Sequence, residues 1–226
     1  MNMRYIDKSE RCEEFDKYII NSGSISDWGE FDGDIKLILH QHLHNEQGGL
    51  CIYCQQQLLY KIEKESNAHI RSHIEHIRPR KADEYLTFVY CNLSVSCEGF
   101  DCEIEKTSKR PKKEFCEHRK GQEKNEYNEE YFLNPIEIKD IENYFFYDEH
   151  YDIKKGLVIK ISPKYKKGTE EFKKAIYMIK ILDLNHDELI RMRTKVVKDI
   201  EKNGPYEKYE KLLPPFYSML LQLGLL

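Results

Sequence analysis

Two cysteines separated by two residues, Cys51 and Cys54, constrain the fold of this chain more than any other feature. That spacing lets both sulfurs reach one tetrahedral Zn²⁺ ion at about 2.3 Å. The competing interpretation is a thioredoxin-like redox pair, which belongs at a strand-to-helix turn in a βαβ unit, and no such pattern surrounds Cys51. The pair therefore predicts a structural zinc knuckle whose other ligands come from elsewhere in the chain.

The other cysteines supply candidates for those ligands. The chain has seven cysteines, an odd number that in a reducing compartment indicates metal ligands or buried thiols more than disulfides. Cys97 and Cys116 are expected to complete a four-thiolate site, with Cys102 as the competing ligand. Cys91 is expected to be a small buried hydrophobe and Cys12 an unrelated thiol.

Composition and the first residues of the chain limit the class of protein that the sequence can encode. The 226 residues are 40% hydrophobic and 34% charged, as in globular chains with a core. The net charge of −4 excludes a protein that binds nucleic acid by bulk charge, so any such binding must come from local patches. The charged opening MNMRYIDKSERC lacks the apolar core of a secretory signal, which predicts a cytoplasmic location.

Hydrophobic periodicity predicts a mixture of helices and strands. Helices are expected at residues 34–44, near Phe115, at 169–182 and from Asn185, which forms a capping-box pattern with Glu188. Strands are expected in HIRSHIEHI, at residues 86–90 and as a pair around the turn at 154–156. The three histidines of the first helix, at positions 40, 42 and 44, are expected on the surface. Residues 136–226 are expected to form a mostly helical module with its own core.

Glu75 and His76 are adjacent in a predicted strand that Pro79 closes. Neighbouring strand residues point to opposite faces, but at a bent strand end two such side chains can serve one site. A carboxylate suits a hard divalent cation, and a neutral imidazole can take a proton from water. The alternative is a plain strand with a solvated polar edge.

Four segments together resemble an HNH endonuclease of the ββα-metal type: CIYC at 51–54, IEHIRP at 74–79, CNL at 91–93 with SC at 96–97, and CEHRKG at 116–121. More narrowly, most of the chain is similar to the HNH nuclease subunit of Septu-type antiphage defence systems, also found beside certain retrons. The resemblance implies an α+β fold, with a zinc-stapled ββα-metal core and flanking helices in residues 1–135 and the helical module in 136–226.

The resemblance also implies a role for each matched residue. His76 would be the general base that deprotonates water for attack on a phosphodiester, and Asn92 would hold its imidazole in orientation. Glu75 and His118 would hold one Mg²⁺ or Mn²⁺ ion that stabilises the developing negative charge. His73 would support a ligand or contact a phosphate. The structural zinc would be held by Cys51, Cys54, Cys97 and Cys116.

Two features depart from the commonest HNH pattern. That pattern has aspartate where Glu75 stands, and its second cysteine pair is close together, whereas a long basic insertion separates Cys97 from Cys116. Basic residues in and around this insertion would bind phosphates without regard to sequence, although Glu114 and Glu117 dilute the charge. The candidates are Arg78, Arg80, Lys81, Lys112, Lys113, Arg119 and Lys120.

The resemblance implies a partner as well as a reaction. Septu-like nucleases are paired with an ABC-type ATPase, and because this chain has no P-loop pattern, ATP handling would fall to that partner. The favoured function is therefore a metal-dependent endonuclease in antiphage defence, acting on DNA or RNA. The alternative is a non-catalytic zinc-knuckle module that holds nucleic acid or a protein. Such a module needs only the thiolates, so the presence of Glu75, His76, Asn92 and His118 favours the enzyme.

Overall fold

The computed structural model describes residues 3–23, 25, 27–58, 72–99, 114–121, 127–148, 156–205 and 212–226. The elements before residue 135 are α1 (Glu13–Asn21), α2 (Gly33–Glu46), β1 (Ser72–His76), β2 (Leu93–Cys97) and α3 (Cys116–Lys120). The elements after it are β3 (Phe145–Tyr147), β4 (Ile159–Ile161), α4 (Glu170–Ile181), α5 (Asp187–Asn203) and α6 (Tyr217–Gln222). The helices and the two small antiparallel sheets within these described ranges confirm the α+β class.

Side-chain caps define where the predicted helices begin. The helix expected at 34–44 is α2, and it begins where the Asp32 carboxylate accepts hydrogen bonds from the backbone N–H groups of the first turn. The prediction of Asn185 as the cap of α5 is wrong by one residue, because His186 accepts the bond from Glu188 N. Asn185 instead bonds both the N–H and the carbonyl of Ile159, at 2.7 and 2.9 Å, which ties the start of α5 to β4.

The strand predicted in HIRSHIEHI is confirmed as β1, although residues 69–71 of that stretch lie outside the described residues. The prediction of its partner strand is wrong. β1 pairs antiparallel with β2, from Ser72 opposite Cys97 to His76 opposite Leu93. Residues 86–90, expected as the second strand, instead run from the last residue of one 3₁₀ turn, Glu84–Leu86, to the first residue of another, Tyr90–Asn92. Their aromatic side chains are used for packing: Phe88 lies 5.5 Å from the Trp28 ring, and the Tyr90 hydroxyl donates to a Glu46 carboxylate oxygen at 2.7 Å.

The expected second strand pair is present as β3 and β4, which pair antiparallel. Lys154 and Lys155, at the predicted turn, lie outside the described residues. Gly156, which follows, has a φ of +69°, and a Cβ there would lie 2.5 Å from Ile190 Cγ2. The chain therefore needs glycine at this point to pass so close to α5.

Burial differs from expectation at three polar positions. His40 and His44 are only 6% and 4% exposed, so the prediction of surface histidines is wrong for both. Cys91 is exposed, so the prediction that it is a small buried hydrophobe is also wrong. Cys91 lies in a 3₁₀ turn between Tyr90 and Asn92, and those two neighbours take the inward positions.

One hydrophobic core draws residues from both sides of position 135. The Gln55 amide donates to Ser218 Oγ and accepts from Ser218 N, both at 2.9 Å, so α6 is tied to the loop that follows Cys54. The division of the chain at residue 135 stays a prediction. Among the described helices, none has the length and apolar character needed to cross a membrane.

Candidate functional site

Four cysteines converge in the interior. The sulfurs of Cys51, Cys54, Cys97 and Cys116 all lie within 4.8 Å of one another, and all four residues are buried. The sulfurs of Cys54 and Cys97 are 3.9 Å apart, close to the ~3.8 Å that separates two thiolates bound tetrahedrally to one zinc at ~2.3 Å. A disulfide would require about 2.05 Å. This buried group could bind zinc.

The fold explains how ligands far apart in sequence meet. Cys97 ends β2 and Cys116 begins α3, while the long insertion between them leaves and returns at one place, because Phe115 N donates to Gly99 O at 3.2 Å. Gly99 has a φ of +75°, and a Cβ there would lie 3.0 Å from Phe115 O. The competing ligand Cys102 lies outside the described residues.

The thiols titrate as a group. Burial raises the pKa of Cys54, Cys97 and Cys116. Burial acts on Cys51 in the same sense, but hydrogen bonds from the other three thiols outweigh it and lower its pKa. The arrangement favours a single thiolate among neutral thiols, and a bound divalent cation would stabilise further deprotonation.

His76 lies in the wall of a cleft of about 510 Å³. The lining residues are Trp28, Ile74, Glu75, His76, Pro79, Arg80, Lys81, Glu117, Lys120 and Gly121. His76 Nε2 lies 3.0 Å from Thr87 O, which can only accept, so Nε2 carries the proton and Nδ1 the lone pair. The Trp28 ring meets the imidazole edge-on, with centroids 4.5 Å apart.

The surroundings of His76 keep it neutral. Burial lowers its pKa to about 4, against the opposing effect of the hydrogen bond to Thr87, and the positive charges of Arg80 and Lys120 act in the same direction as burial. At neutral pH the imidazole therefore has the protonation state that a general base needs.

Asn92 has backbone partners. Its Oδ1 accepts from Arg78 N at 2.8 Å, and its Nδ2 donates to Arg78 O at 3.1 Å and Leu86 O at 3.2 Å. These bonds do not touch the His76 ring. They fix the loop between β1 and β2, and because Leu86 precedes Thr87, they also fix the carbonyl that His76 contacts.

Glu75 is engaged by a buried lysine. Its Oε1 accepts from the Tyr53 hydroxyl at 2.7 Å and forms an ion pair with Lys120 Nζ. Lys120 also donates to the carbonyls of His76 and Ile77, at 3.0 and 2.9 Å. Burial raises the pKa of Glu75, and the Lys120 charge offsets part of that effect.

His118 belongs to a different group from Glu75. Its Nδ1 lies 2.7 Å from Glu117 Oε2, its Nε2 lies 3.7 Å from Glu98 Oε2, and its ring stacks on that of His73 with centroids 5.1 Å apart. Hydrogen bonds to the two carboxylates raise the pKa of His118 to about 9. The ligand atoms of His73, Glu117 and His118 lie within 4.8 Å of one another, a set that could hold a metal ion.

Sequence reasoning missed two carboxylates of this neighbourhood. Glu117 lines the cleft beside His76, and Glu98 faces both His73 and His118. In the sequence, Glu117 is expected only as a charge that dilutes a basic patch. Its position between a cysteine ligand and a candidate histidine ligand was a usable signal, whereas the pairing of Glu98 with His73 depends on strand register.

The predicted phosphate-binding residues are placed unevenly. Arg80 and Lys81 line the cleft. Arg78 pairs with Glu129, and Lys120 is 2% exposed inside the protein. The Arg119 Nε atom is buried. The remaining two candidates, Lys112 and Lys113, lie outside the described residues.

Comparison with known proteins gives one informative similarity. No protein-family model matches the chain. Over 71 residues the chain is 37% identical to a protein of Vibrio cholerae serotype O1 biovar El Tor named "Retron Vc95 putative HNH endonuclease". The matched segment covers 30% of this chain and 30% of that protein. The similarity supports a relationship to an HNH endonuclease family over that segment.

Proposed function

We propose that this chain is a metal-dependent HNH endonuclease that hydrolyses phosphodiester bonds in nucleic acid. The observation that carries the proposal is the state of His76, a neutral imidazole fixed by the Thr87 carbonyl in the wall of a cleft. The similarity to the Vibrio cholerae protein supports the same class of enzyme.

In this proposal His76 acts through Nδ1. That nitrogen takes a proton from water as the water attacks phosphorus, while Nε2 keeps its proton on Thr87 O. Arg80 and Lys81, in the lining of the same cleft, would hold the phosphate backbone without reading sequence. Asn92 would be a positioning residue, because it holds the loop that carries Thr87.

Two kinds of metal belong to the proposal. The four cysteines would hold a structural Zn²⁺ that joins the Cys51 loop, β2 and α3. Glu75 and His118 are the ligands that the resemblance implies for Mg²⁺ or Mn²⁺, which when bound would stabilise negative charge on the phosphate and the leaving oxygen. Glu75 would have to exchange its Lys120 partner to serve in this way.

The biological setting is also proposed from the resemblance. Similarity to the Septu-type nuclease subunit implies antiphage defence beside an ABC-type ATPase, in the cytoplasm. The word retron in the name of the Vibrio cholerae relative supports this setting. Residues 1–135 would carry the nuclease site and 136–226 the helical module.

One observation favours the alternative function, a non-catalytic zinc-knuckle module that binds nucleic acid or protein. The Glu75 carboxylate, expected as a metal ligand, is buried in an ion pair with Lys120, which a purely structural role explains fully. A binding module would keep the cysteine group and have no use for a neutral His76.

Cleavage assays separate the two functions. Supercoiled plasmid and total cellular RNA are incubated with Mg²⁺ or Mn²⁺ and the wild type, His76→Ala or His42→Ala, each with and without the neighbouring ATPase. Loss of a general base should slow cleavage about 10²–10⁴-fold in His76→Ala, while His42→Ala, on α2 outside the cleft, cuts like wild type. Equal rates for wild type and His76→Ala contradict the catalytic role, and no cutting by any protein favours the binding module.

A further inference from the structure

Two histidines and two carboxylates gather where β1, the end of β2 and α3 meet. We propose that His73, Glu98, Glu117 and His118 form a site for a divalent first-row transition metal ion. The inference deepens the proposed function, because His118 belongs to both. The role of the cation in catalysis rests on the proposed function, whereas the binding of the cation does not depend on it.

The donor atoms are nearly close enough to share an ion as they stand. Those of His73, Glu117 and His118 lie within 4.8 Å of one another. Two ligands of one ion at ~2.1 Å each are at most about 4.2 Å apart, so binding needs a contraction of well under about 1 Å. Each of these three side chains is 26% exposed and therefore has room to move.

The two ring nitrogens of His73 each face a carboxylate. Both nitrogens are buried from solvent. Nε2 lies 3.0 Å from Glu117 Oε2, and Nδ1 lies 3.8 Å from Glu98 Oε1. A divalent cation among these carboxylates would replace the proton of the imidazolium and use the lone pair of the ring nitrogen, so that its charge is balanced by the same two carboxylates.

The donor chemistry indicates which cations fit. Imidazole nitrogens suit first-row transition ions, whereas Mg²⁺ prefers an all-oxygen octahedron and gives up its water reluctantly. Two carboxylates balance the charge of one divalent ion. The group lacks thiolates and so differs in kind from the four-cysteine site. Through Glu117, the ion would lie at the edge of the cleft that contains His76.

Glu75 is excluded from this donor set by its own contacts. It lies two residues after His73 on the same face of β1, but its carboxylate is held by Lys120 and by the Tyr53 hydroxyl. The structure thus gives His118 two partners, His73 and Glu98, that the resemblance did not assign as metal ligands.

Mn²⁺ binding tests the inference, because this ion does not compete for thiolates that hold zinc. The zinc-loaded full chain is titrated with Mn²⁺, and free Mn²⁺ is followed by electron paramagnetic resonance. Wild type should bind about one Mn²⁺, and His73→Ala and Glu98→Gln should weaken binding by at least about tenfold. Glu137→Gln, which removes an exposed carboxylate in the turn after Pro135, is the matched control and should bind like wild type. About a hundredfold excess of Mg²⁺ should leave most of the Mn²⁺ bound.

The outcomes separate this inference from the proposed function. Loss of Mn²⁺ binding in Glu75→Gln with unchanged binding in His73→Ala overturns the inference and leaves the endonuclease proposal in place. If Mn²⁺ binding is weakened by His73→Ala and Glu98→Gln, but cleavage does not depend on His76, the inference is supported and the proposed function is contradicted. No binding to wild type at millimolar Mn²⁺ overturns the inference. Thermal unfolding of each variant, with His118→Ala as a second ligand variant, shows that lost binding is not lost folding.

Discussion

Lys120 and Glu75 form an ion pair inside the protein, with side chains only 2% and 3% exposed. Burying two charges is costly, and here the cost is offset by the Tyr53 hydroxyl on the carboxylate and by two backbone carbonyls on the ammonium. The pair fastens α3 to β1. Lys120 therefore stabilises the framework of the site from within, and its ammonium is engaged by these protein partners.

Removing the lysine should leave an uncompensated buried carboxylate. We expect Lys120→Met to lower the free energy of unfolding by about 3–5 kcal/mol, measured by denaturant titration. The double variant Lys120→Met with Glu75→Gln should recover part of that loss, because no buried charge then lacks its partner. A double variant at least as unstable as the single one would contradict this account.

Loss of one buried thiolate should release zinc and destabilise the chain. We expect the wild type to contain about one zinc ion per chain and Cys54→Ser to contain much less. Because binding of a structural zinc is coupled to folding, the variant should also be less stable. Elemental analysis of the purified protein and its thermal midpoint measure both effects. Cys91→Ser, which removes an exposed cysteine outside the group, is the matched control. Equal zinc content in the two variants would rule out the four-cysteine site.

The sequence predicted best what local patterns control. Three patterns can each be recognised within a short stretch of sequence: the spacing of Cys51 and Cys54, the helical period of α2 and the alternation in β1. The structure also brings Cys97 and Cys116 next to the Cys51–Cys54 pair, as expected. The prediction of the partner strand is wrong because residues 86–90 have strand-like composition, while their aromatic rings pack against Trp28 and Phe15.

The parts that failed depend on contacts between distant segments. The pairing of Lys120 with Glu75 joins residues 45 positions apart, and composition alone made that lysine look like part of a phosphate-binding loop. The contacts of His118 with His73 and Glu98 follow from the register that sets His73 opposite Ser96, two residues before Glu98. Neither relationship has a signature in local periodicity.

Asn92 should affect activity through the loop that it holds. Asn92→Ala removes three hydrogen bonds to the backbone of Arg78 and Leu86. Because buried backbone groups then lose their partners, we expect a loss of about 1–3 kcal/mol in unfolding free energy and a fall in kcat. KM should change little, since no bond of Asn92 points into the cleft. A fall in kcat with unchanged stability would indicate instead that Asn92 acts directly on the reacting groups.

His40 should make stability fall as the medium becomes acidic. It is buried on α2 with Nε2 3.1 Å from Ser72 Oγ, and burial, followed by the charge of His44, lowers its pKa from 6.5 to about 4. Below pH 6.5, His40 therefore binds a proton in the unfolded chain but remains neutral in the folded chain. The neutral side chain contributes its full stabilisation above pH 6.5, and this contribution is lost as the pH falls toward 4.

A substitution that cannot titrate isolates this effect. Between pH 7.5 and pH 5, His40 alone should account for a loss of about 2 kcal/mol in unfolding free energy. His40→Leu should be less stable than wild type at pH 7.5, because Ser72 loses its partner, but its stability should fall by about 2 kcal/mol less over the same interval. His42→Leu, two residues along the same helix, is the matched control for replacing a histidine of α2 by leucine. Parallel curves for wild type and His40→Leu would contradict the prediction, because they would show that His40 titrates with the same pKa in the folded and unfolded chains.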